Sequence, residues 1–206
     1  MNMPEIIFAT GNRGKLREAS EILGEGFVLS TPADAGITED IPETGETLDE
    51  NSLQKAMYIY ERTGRDCFAD DTGLEVDALG GAPGVYTARY AGPSKDFGRN
   101  MDKVLSELSA LEKAAPEGVA VSRRARFRSV VTLILGGRAH RFEGVMEGTI
   151  ARSKSGNGGF GYDPIFIPDE YPGLTAADIT EDQKNDISHR GKALRAMAAF
   201  LNEIEG

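Results

Sequence analysis

The sequence predicts an α/β fold with a mixed sheet, and three observations carry that reading. Residues 6–8 form a short apolar run that ends in two glycines and an Asn, after which Leu16, Ala19 and Leu23 recur at helical spacing. Further apolar runs and amphipathic stretches alternate through the first half of the chain. In the second half, Gly136-Gly137 separates two long β-like runs, which predicts a hairpin and therefore antiparallel as well as parallel pairing.

The elements follow in order. The 6–8 strand leads through a glycine loop into a first helix. Thr47 followed by Glu50 is a capping box. It opens a helix with Leu53, Ala56, Met57 and Tyr60 as its expected inner face, closing near Gly64. Residues 67–69 read as a short strand ending at Asp70-Asp71, and 74–76 as a separate one. Residues 80–84 form a Gly/Pro loop. Asp96 caps a long amphipathic helix carrying Phe97, Met101, Val104, Leu105, Leu108 and Leu111 on one side. Residues 117–122 read as a mobile connection. The hairpin strands cover 125–135 and 138–150, and the glycine-rich stretch 155–159 precedes a short strand at 165–167. Thr180 with Gln183 opens a short helix, and Ser188 caps a final one bearing Leu194, Met197, Ala198, Leu201 and Ile204.

At 206 residues the chain is long enough for one large domain or two joined lobes. Its formal net charge is -10, which disfavours a nucleic-acid partner, since such proteins present a basic face. A single nucleotide is compatible with that charge, because a few cations and a metal suffice locally. Cys67 is the only cysteine, so no intramolecular disulfide forms. No signal-like or membrane-length apolar segment is evident, which points to a cytoplasmic protein without a membrane partner. Gly is 25 of 206 residues, against a usual share of about 7%, and the glycines cluster between apolar segments as shaped loops.

The first loop, from Thr10 through Gly11, Asn12, Arg13 and Gly14 to Lys15, suits a phosphate. It offers helix-start amides, a favourable dipole and an ammonium group. An ordinary βα turn with a solvated Lys fits the same residues. It is not a P-loop: only two residues separate Gly11 from Gly14, and Leu16 follows Lys15 where a metal-binding hydroxyl would stand. Any metal must be held elsewhere. Glu43, Glu46 and Glu50 surround a helix start, and Asp70-Asp71 closes a strand. Such carboxylates suit Mg²⁺, which takes oxygen ligands. Glu46 and Glu50 are equally explained by the helix dipole. Adjacent Asp70 and Asp71 require a counter-cation. Lys55 lies on the capped helix, five residues beyond Glu50. His189 and Arg190 oppose the dipole at a helix start, a placement that asks for an anionic or acceptor-rich partner. Residues 160–164, with an aromatic ring, a glycine and an acid, suit a nucleobase or simply a turn with a core Phe.

Together, Thr-Gly-Asn-x-x-Lys at 10–15, Glu-Thr-Gly-x-Thr at 43–47, Glu-Asn-x-x-x-Lys at 50–55, Ala-Asp-Asp-Thr-Gly-Leu at 69–74, Leu-Gly-Gly-Ala-Pro-Gly at 79–84, Gly-Gly-Phe-Gly-Tyr-Asp-Pro at 158–164 and Lys-x-x-x-x-Ser-His-Arg at 184–190 resemble the inosine/xanthosine triphosphate pyrophosphatases. The resemblance runs in order along nearly the whole chain. It implies one pyrophosphatase domain over 1–206, with two lobes around a long mixed sheet, a central nucleotide cleft and a homodimer. The implied activity is Mg²⁺-dependent hydrolysis of deaminated purine nucleoside triphosphates to the monophosphate and pyrophosphate. By matching position, residues 10–15 with Lys55 would hold the triphosphate, and Thr72 would contact substrate. With Lys15 gripping phosphate, its loss is expected to damage hydrolysis while leaving stability nearly unchanged. Glu43 and Asp71 would hold the metal, with Asp71, or Asp70 beside it, acting on the attacking water. Phe160, Gly161, Tyr162, Asp163, Lys184, His189 and Arg190 would read the base. Thr72 stands where many bacterial relatives have Ser, and 114–124 matches no family motif. The alternatives are a nucleotide phosphotransferase and a non-catalytic nucleotide sensor.

Overall fold

A computed structural model describes residues 4–205. In chain order the elements are β1 (Glu5–Phe8), α1 (Arg13–Leu23), β2 (Val28–Ser30), α2 (Leu48–Thr63), β3 (Cys67–Val76), α3 (Phe97–Ala114), β4 (Arg124–Leu135), β5 (Arg138–Ile150), β6 (Phe166–Pro168), α4 (Glu181–Ile187) and α5 (His189–Glu205). Among the described residues the strands form one mixed sheet ordered β2-β1-β3-β4-β5-β6. β1 runs parallel to both β2 and β3, whereas β5 and β6 are antiparallel. The β4–β5 turn is Gly136-Gly137 with φ of 54° and 78°, the double left-handed conformation that a two-residue hairpin requires.

The chain divides into two compact units. The first comprises the chain through Asp71, Ser129–Gly144 and the chain from His189 onward; the second comprises Thr72–Arg128 and Val145–Ser188.

In the first unit the sheet is covered on both faces, and strand alternation sorts the side chains. Ile6 and Phe8 of β1 and Phe68 of β3 share a core with Ala19 and Leu23 of α1 and with Leu194, Met197 and Leu201 of α5. Their chain neighbours Ile7, Ala9, Cys67 and Ala69 turn the other way, onto Ala56 and Ile59 of α2. Phe8 and Phe68 stack at 4.2 Å between ring centroids. The second unit packs Met101, Val104 and Leu108 of α3 against Leu74, Val76, Phe127, Met146 and Phe166.

Four local expectations need correction. Residues 67–76 form a single ten-residue strand, so Asp70 and Asp71 stand mid-strand rather than at a strand end. Asp and Gly are poor strand formers, but partners on both faces override that preference. The α2 helix buries Leu48, Asn51, Ser52, Lys55, Ala56 and Ile59, while Leu53 is exposed. Its inner face is partly polar because Asn51 and Lys55 meet Asp71 of β3 and Ser52 meets Thr132 of β4. Leu111 of α3 is likewise exposed. The last strand begins one residue later than expected, at Phe166, because Asp163–Ile165 form a 3₁₀ turn. Residues 117–122 are irregular, preceding an Arg123 that binds the carbonyls of Ile150 and Ala151 and the Glu112 carboxylate.

Candidate active site

The alternation that sorts the core also separates the two aspartates. Asp70 shares the parity of Phe68 and faces α1 and α5; Asp71 shares the parity of Cys67 and Ala69 and faces α2. Two adjacent carboxylates therefore serve two separate clusters within the first unit.

On the α1/α5 face, Lys15 Nζ lies 2.9 and 2.8 Å from the two oxygens of Asp70. Arg190, in the first turn of α5, donates its Nε–H to Asp70 at 3.1 Å and an Nη1–H to Glu18 of α1 at 3.0 Å. Asp70 is 2% exposed. Burial alone would push its carboxyl up, but Lys15 and Arg190, with Lys55 beyond them, overcome that and hold it far below the usual carboxylate range. Both its oxygens are thus engaged by cations. Arg190 has the anionic partners that its place at a helix start demanded, and they belong to this chain.

On the α2 face, Lys55 Nζ stands 2.5 Å from Glu43 Oε1 and 3.4 Å from Asp71 Oδ1. Asn51 Nδ2 donates to Asp71 Oδ2 at 3.1 Å. Burial opposes the charge of Lys55, yet Asp71, Asp70 and Glu43 keep its affinity for a proton raised. Asp71 is pushed up, first by burial and then by repulsion from Glu43 and Asp70, although Lys55 and the Asn51 bond work against this. It is the more basic of the two aspartates. Glu50 belongs to the capping box, its carboxylate accepting the Glu46 and Thr47 amides.

The loop at 10–15 differs in detail from a bare amide cradle. Asn12 caps α1, its side chain accepting the Gly14 and Lys15 amides, while its own amide donates to Thr10 Oγ1. Three amides near the helix start are thus already engaged. An open cleft of about 1130 Å³ in this unit is lined by residues that include Thr10, Gly11, Arg13, Lys15, Glu43, Lys55 and Asp70, with Thr31–Asp34 and Ile37–Ile41. Asp71 is not in its lining, but its partner Lys55 is.

Residues 160–163, with Lys184, lie in the second unit, as does the half-buried Thr72. Phe160 is 68% exposed, with Lys184 Nζ 4.7 Å from its ring centroid. Asp163 is buried and accepts both the Phe160 amide and the Lys184 ammonium, so it organises the loop instead of presenting an open carboxylate. Gly159 sits at φ 72°, and a Cβ there would run into Asp163. Gly161 also has a left-handed φ, of 66°. Tyr162 departs from the expectation of a ligand contact: its ring is core, its hydroxyl donates to Thr87 O at 2.8 Å, and Phe97 meets it edge-on. The first unit thus gathers residues 10–15, Glu43, Lys55, Asp71, His189 and Arg190, and the second unit the rest.

Sequence reasoning missed Asn51 and Glu18. The signal for Asn51 was its place four residues before Lys55, on the same helix face. Glu18 had no signal, because its partner is distant in sequence.

Residues 6–200 match the Ham1 family model. The chain belongs to the Ham1 family. Similar members include a dITP/XTP pyrophosphatase from Porphyromonas gingivalis, 48% identical over 200 residues, covering 97% of this chain and 98% of that protein. Another, from Flavobacterium psychrophilum, is 44% identical over 96% of this chain and 98% of its own length. The structure of a HAM1 protein from Coxiella burnetii superposes with a TM-score of 0.88 at 38% identity, covering 98% of this chain and all of that one. The mixed α/β architecture is therefore that of the solved Ham1 structures. Among the described residues no helix is long and apolar enough to cross a membrane.

Proposed function

We propose that this Ham1 chain hydrolyses deaminated purine nucleoside triphosphates (dITP, ITP and XTP), releasing the monophosphate and pyrophosphate. One observation carries the reading: Lys55, flanked by Glu43 and Asp71, lines the same cleft as Lys15 in a chain more than 40% identical to dITP/XTP pyrophosphatases.

The donor chemistry fits a hard divalent ion. Glu43 and Asp71 both supply oxygen, and Asp71, pushed up first by burial and then by Glu43 and Asp70, has neighbouring negative charge that a cation would relieve. Among the described residues no group of three or more His, Cys, Asp or Glu is gathered to hold a metal by itself. Two protein carboxylates, completed by water and substrate phosphate, match the habit of Mg²⁺. When bound, such an ion neutralises phosphate charge as a Lewis acid.

The chain's own residues account for the remainder. Asp71, the more basic aspartate, accepts the proton of the attacking water. Lys55 and Lys15 stabilise charge moving onto the leaving pyrophosphate, Lys15 exchanging part of its contact with Asp70 for phosphate. Thr10, Gly11, Asn12, Arg13 and Gly14 complete the phosphate grip, and the Thr72 hydroxyl contacts the substrate. Phe160 stacks on the base, in a loop shaped by Gly161, Tyr162, Asp163 and Lys184. His189 and the Arg190 N–H groups not bonded to Asp70 and Glu18 serve as donors to the O6 acceptor shared by hypoxanthine and xanthine. Adenine offers an amino group there, so its entry leaves buried donors facing a donor. Homodimeric assembly and the absence of a membrane partner belong to the same proposal, as do the absence of a nucleic-acid partner, supported by the net charge of -10, and a cytoplasmic location, supported by the single buried cysteine.

Incubating the protein with inosine triphosphate and Mg²⁺ and identifying the phosphate product tests this. Pyrophosphate with inosine monophosphate is expected, together with a kcat/KM far above that for ATP. Orthophosphate with a nucleoside diphosphate would indicate phosphotransfer chemistry, and binding without turnover a sensor. Either result overturns the proposal.

A further inference from the structure

Asn51 is 3% exposed, the fourth residue of α2, and links the loop that carries Glu43 to Asp71. Its Oδ1 accepts the Gly45 amide at 2.8 Å, and its Nδ2 donates to Asp71 Oδ2 at 3.1 Å. The orientation of the amide is unique, because a backbone N–H only donates and a carboxylate only accepts. Gly45 lies two residues after Glu43, so one end of Asn51 fixes the segment that carries Glu43 and the other end fixes Asp71. The fit against Gly45 is close: a Cβ there would come 2.6 Å from Glu50 Cβ and 2.9 Å from Asn51 Oδ1. The helix holding Asn51 is itself pinned. Its capping box closes the first turn, and Ser52 hydrogen-bonds Thr132 of β4.

We infer that Asn51 is a positioning residue that holds Glu43 and Asp71 in mutual register for a divalent ion. The inference rests on the function proposed above. Without Asn51 the 43–47 segment loses a tether and Asp71 a fixed carboxylate plane, while Lys55 is left in place. Displacing a reacting group by about 1 Å can cost 100-fold in rate. Substrate binding should suffer far less, since Asn51 is not in the lining of the cleft.

The test uses the full chain, with Asn51→Ala and Gly45→Ala compared with the natural sequence. Direct titration with Mn²⁺ alone, without nucleotide, is the first readout; kcat and KM for inosine triphosphate are the second; a thermal melt shows that each variant is folded at the assay temperature. Asn51→Ala should weaken Mn²⁺ binding by about 5-fold or more and lower kcat by about 30-fold or more, with KM within about 3-fold, given the cost of misplacement. Gly45→Ala, which crowds the Gly45–Asn51 contact from the loop side but keeps the Asn51 amide and its bond to Asp71, should move Mn²⁺ affinity and kcat in the same direction by less. Natural Mn²⁺ affinity and kcat in folded Asn51→Ala overturn the inference; should that variant fail to fold, the same result in Gly45→Ala does so. If the natural chain yields no pyrophosphate, the functional reading fails, while the Mn²⁺ titration still decides the role of Asn51.

Discussion

Asp70 and Asp71 are adjacent in one strand and chemically identical, yet they sit in opposite electrostatic situations. Asp70 faces α1 and α5, where Lys15 and Arg190 both bond it, and its carboxyl is held far down. Asp71 faces α2, where one lysine is shared with Glu43, and its carboxyl is pushed up. The difference arises from the two-residue period of a strand, which sends neighbours to opposite faces. One face gains a charge-neutral anchor; the other keeps an excess of negative charge, where a divalent ion and a base are useful. Under the proposed function, the pair divides into a structural member and a chemical one.

The largest effect expected from breaking this division is on stability. Asp70→Asn leaves Lys15 and Arg190 without their buried counter-charge, and losing one member of a buried ion pair costs about 3–5 kcal/mol. Urea unfolding at neutral pH should show that loss. A change below about 1 kcal/mol would place Asp70 among ordinary surface charges.

Acid titration separates the two aspartates by sign. Asp70 has a depressed value when folded, so its stabilisation is complete above about pH 4, the unfolded carboxylate value, and is lost as pH falls towards its folded value. Asp71 is raised, so its contribution is complete below about pH 4 and declines as pH rises through its folded value. Asp70→Asn should flatten the acid limb of the stability curve, whereas Asp71→Asn should leave that limb as steep or steeper. Equal flattening by both variants would contradict the division.

Lys15→Ala comes next in size. The expectation from sequence that its loss leaves stability nearly unchanged needs correction, because Lys15 bonds both oxygens of a buried carboxylate. Arg190 remains with Asp70 in the variant, so the expected loss is about 1–3 kcal/mol, with impaired hydrolysis alongside. A melting temperature equal to that of the natural chain would restore the solvated reading.

The smallest expectation concerns Cys67, on the same face as Asp71 but without a cation. Burial, helped by Asp66, pushes its thiol up to about 12. It should resist alkylation at pH 8 in the folded protein and react readily in urea, since only the thiolate is nucleophilic. Rapid labelling of the folded chain would show that this face is not sealed.

Much of this was legible from local patterns. The capping boxes at Thr47 and Thr180, the Asp96 cap and the Gly136-Gly137 hairpin all form, because each is written within a few residues. The continuity of β3 was not legible: Asp70, Asp71 and Gly73 read as a strand break, and only cations from α1, α2 and α5 reverse that reading. For the same reason α2 hides Asn51, Ser52 and Lys55 while exposing Leu53. Side-chain commitments were the least legible feature. Arg190 bonds Asp70 and Glu18, 120 and 172 residues away in the chain, and Tyr162 turns into the core against Thr87.

The most direct test of the division between the two aspartates is a paired measurement on Asp71→Asn: kcat for inosine triphosphate with Mg²⁺, and urea stability of the same preparation. Removing a central electrostatic group costs about 10²–10³ in kcat. Lys55 keeps Glu43, so the fold should stay within about 1 kcal/mol of the natural chain. A large loss of turnover in a protein of nearly natural stability is the predicted result; turnover close to natural, or a stability loss as large as that of Asp70→Asn, would contradict it.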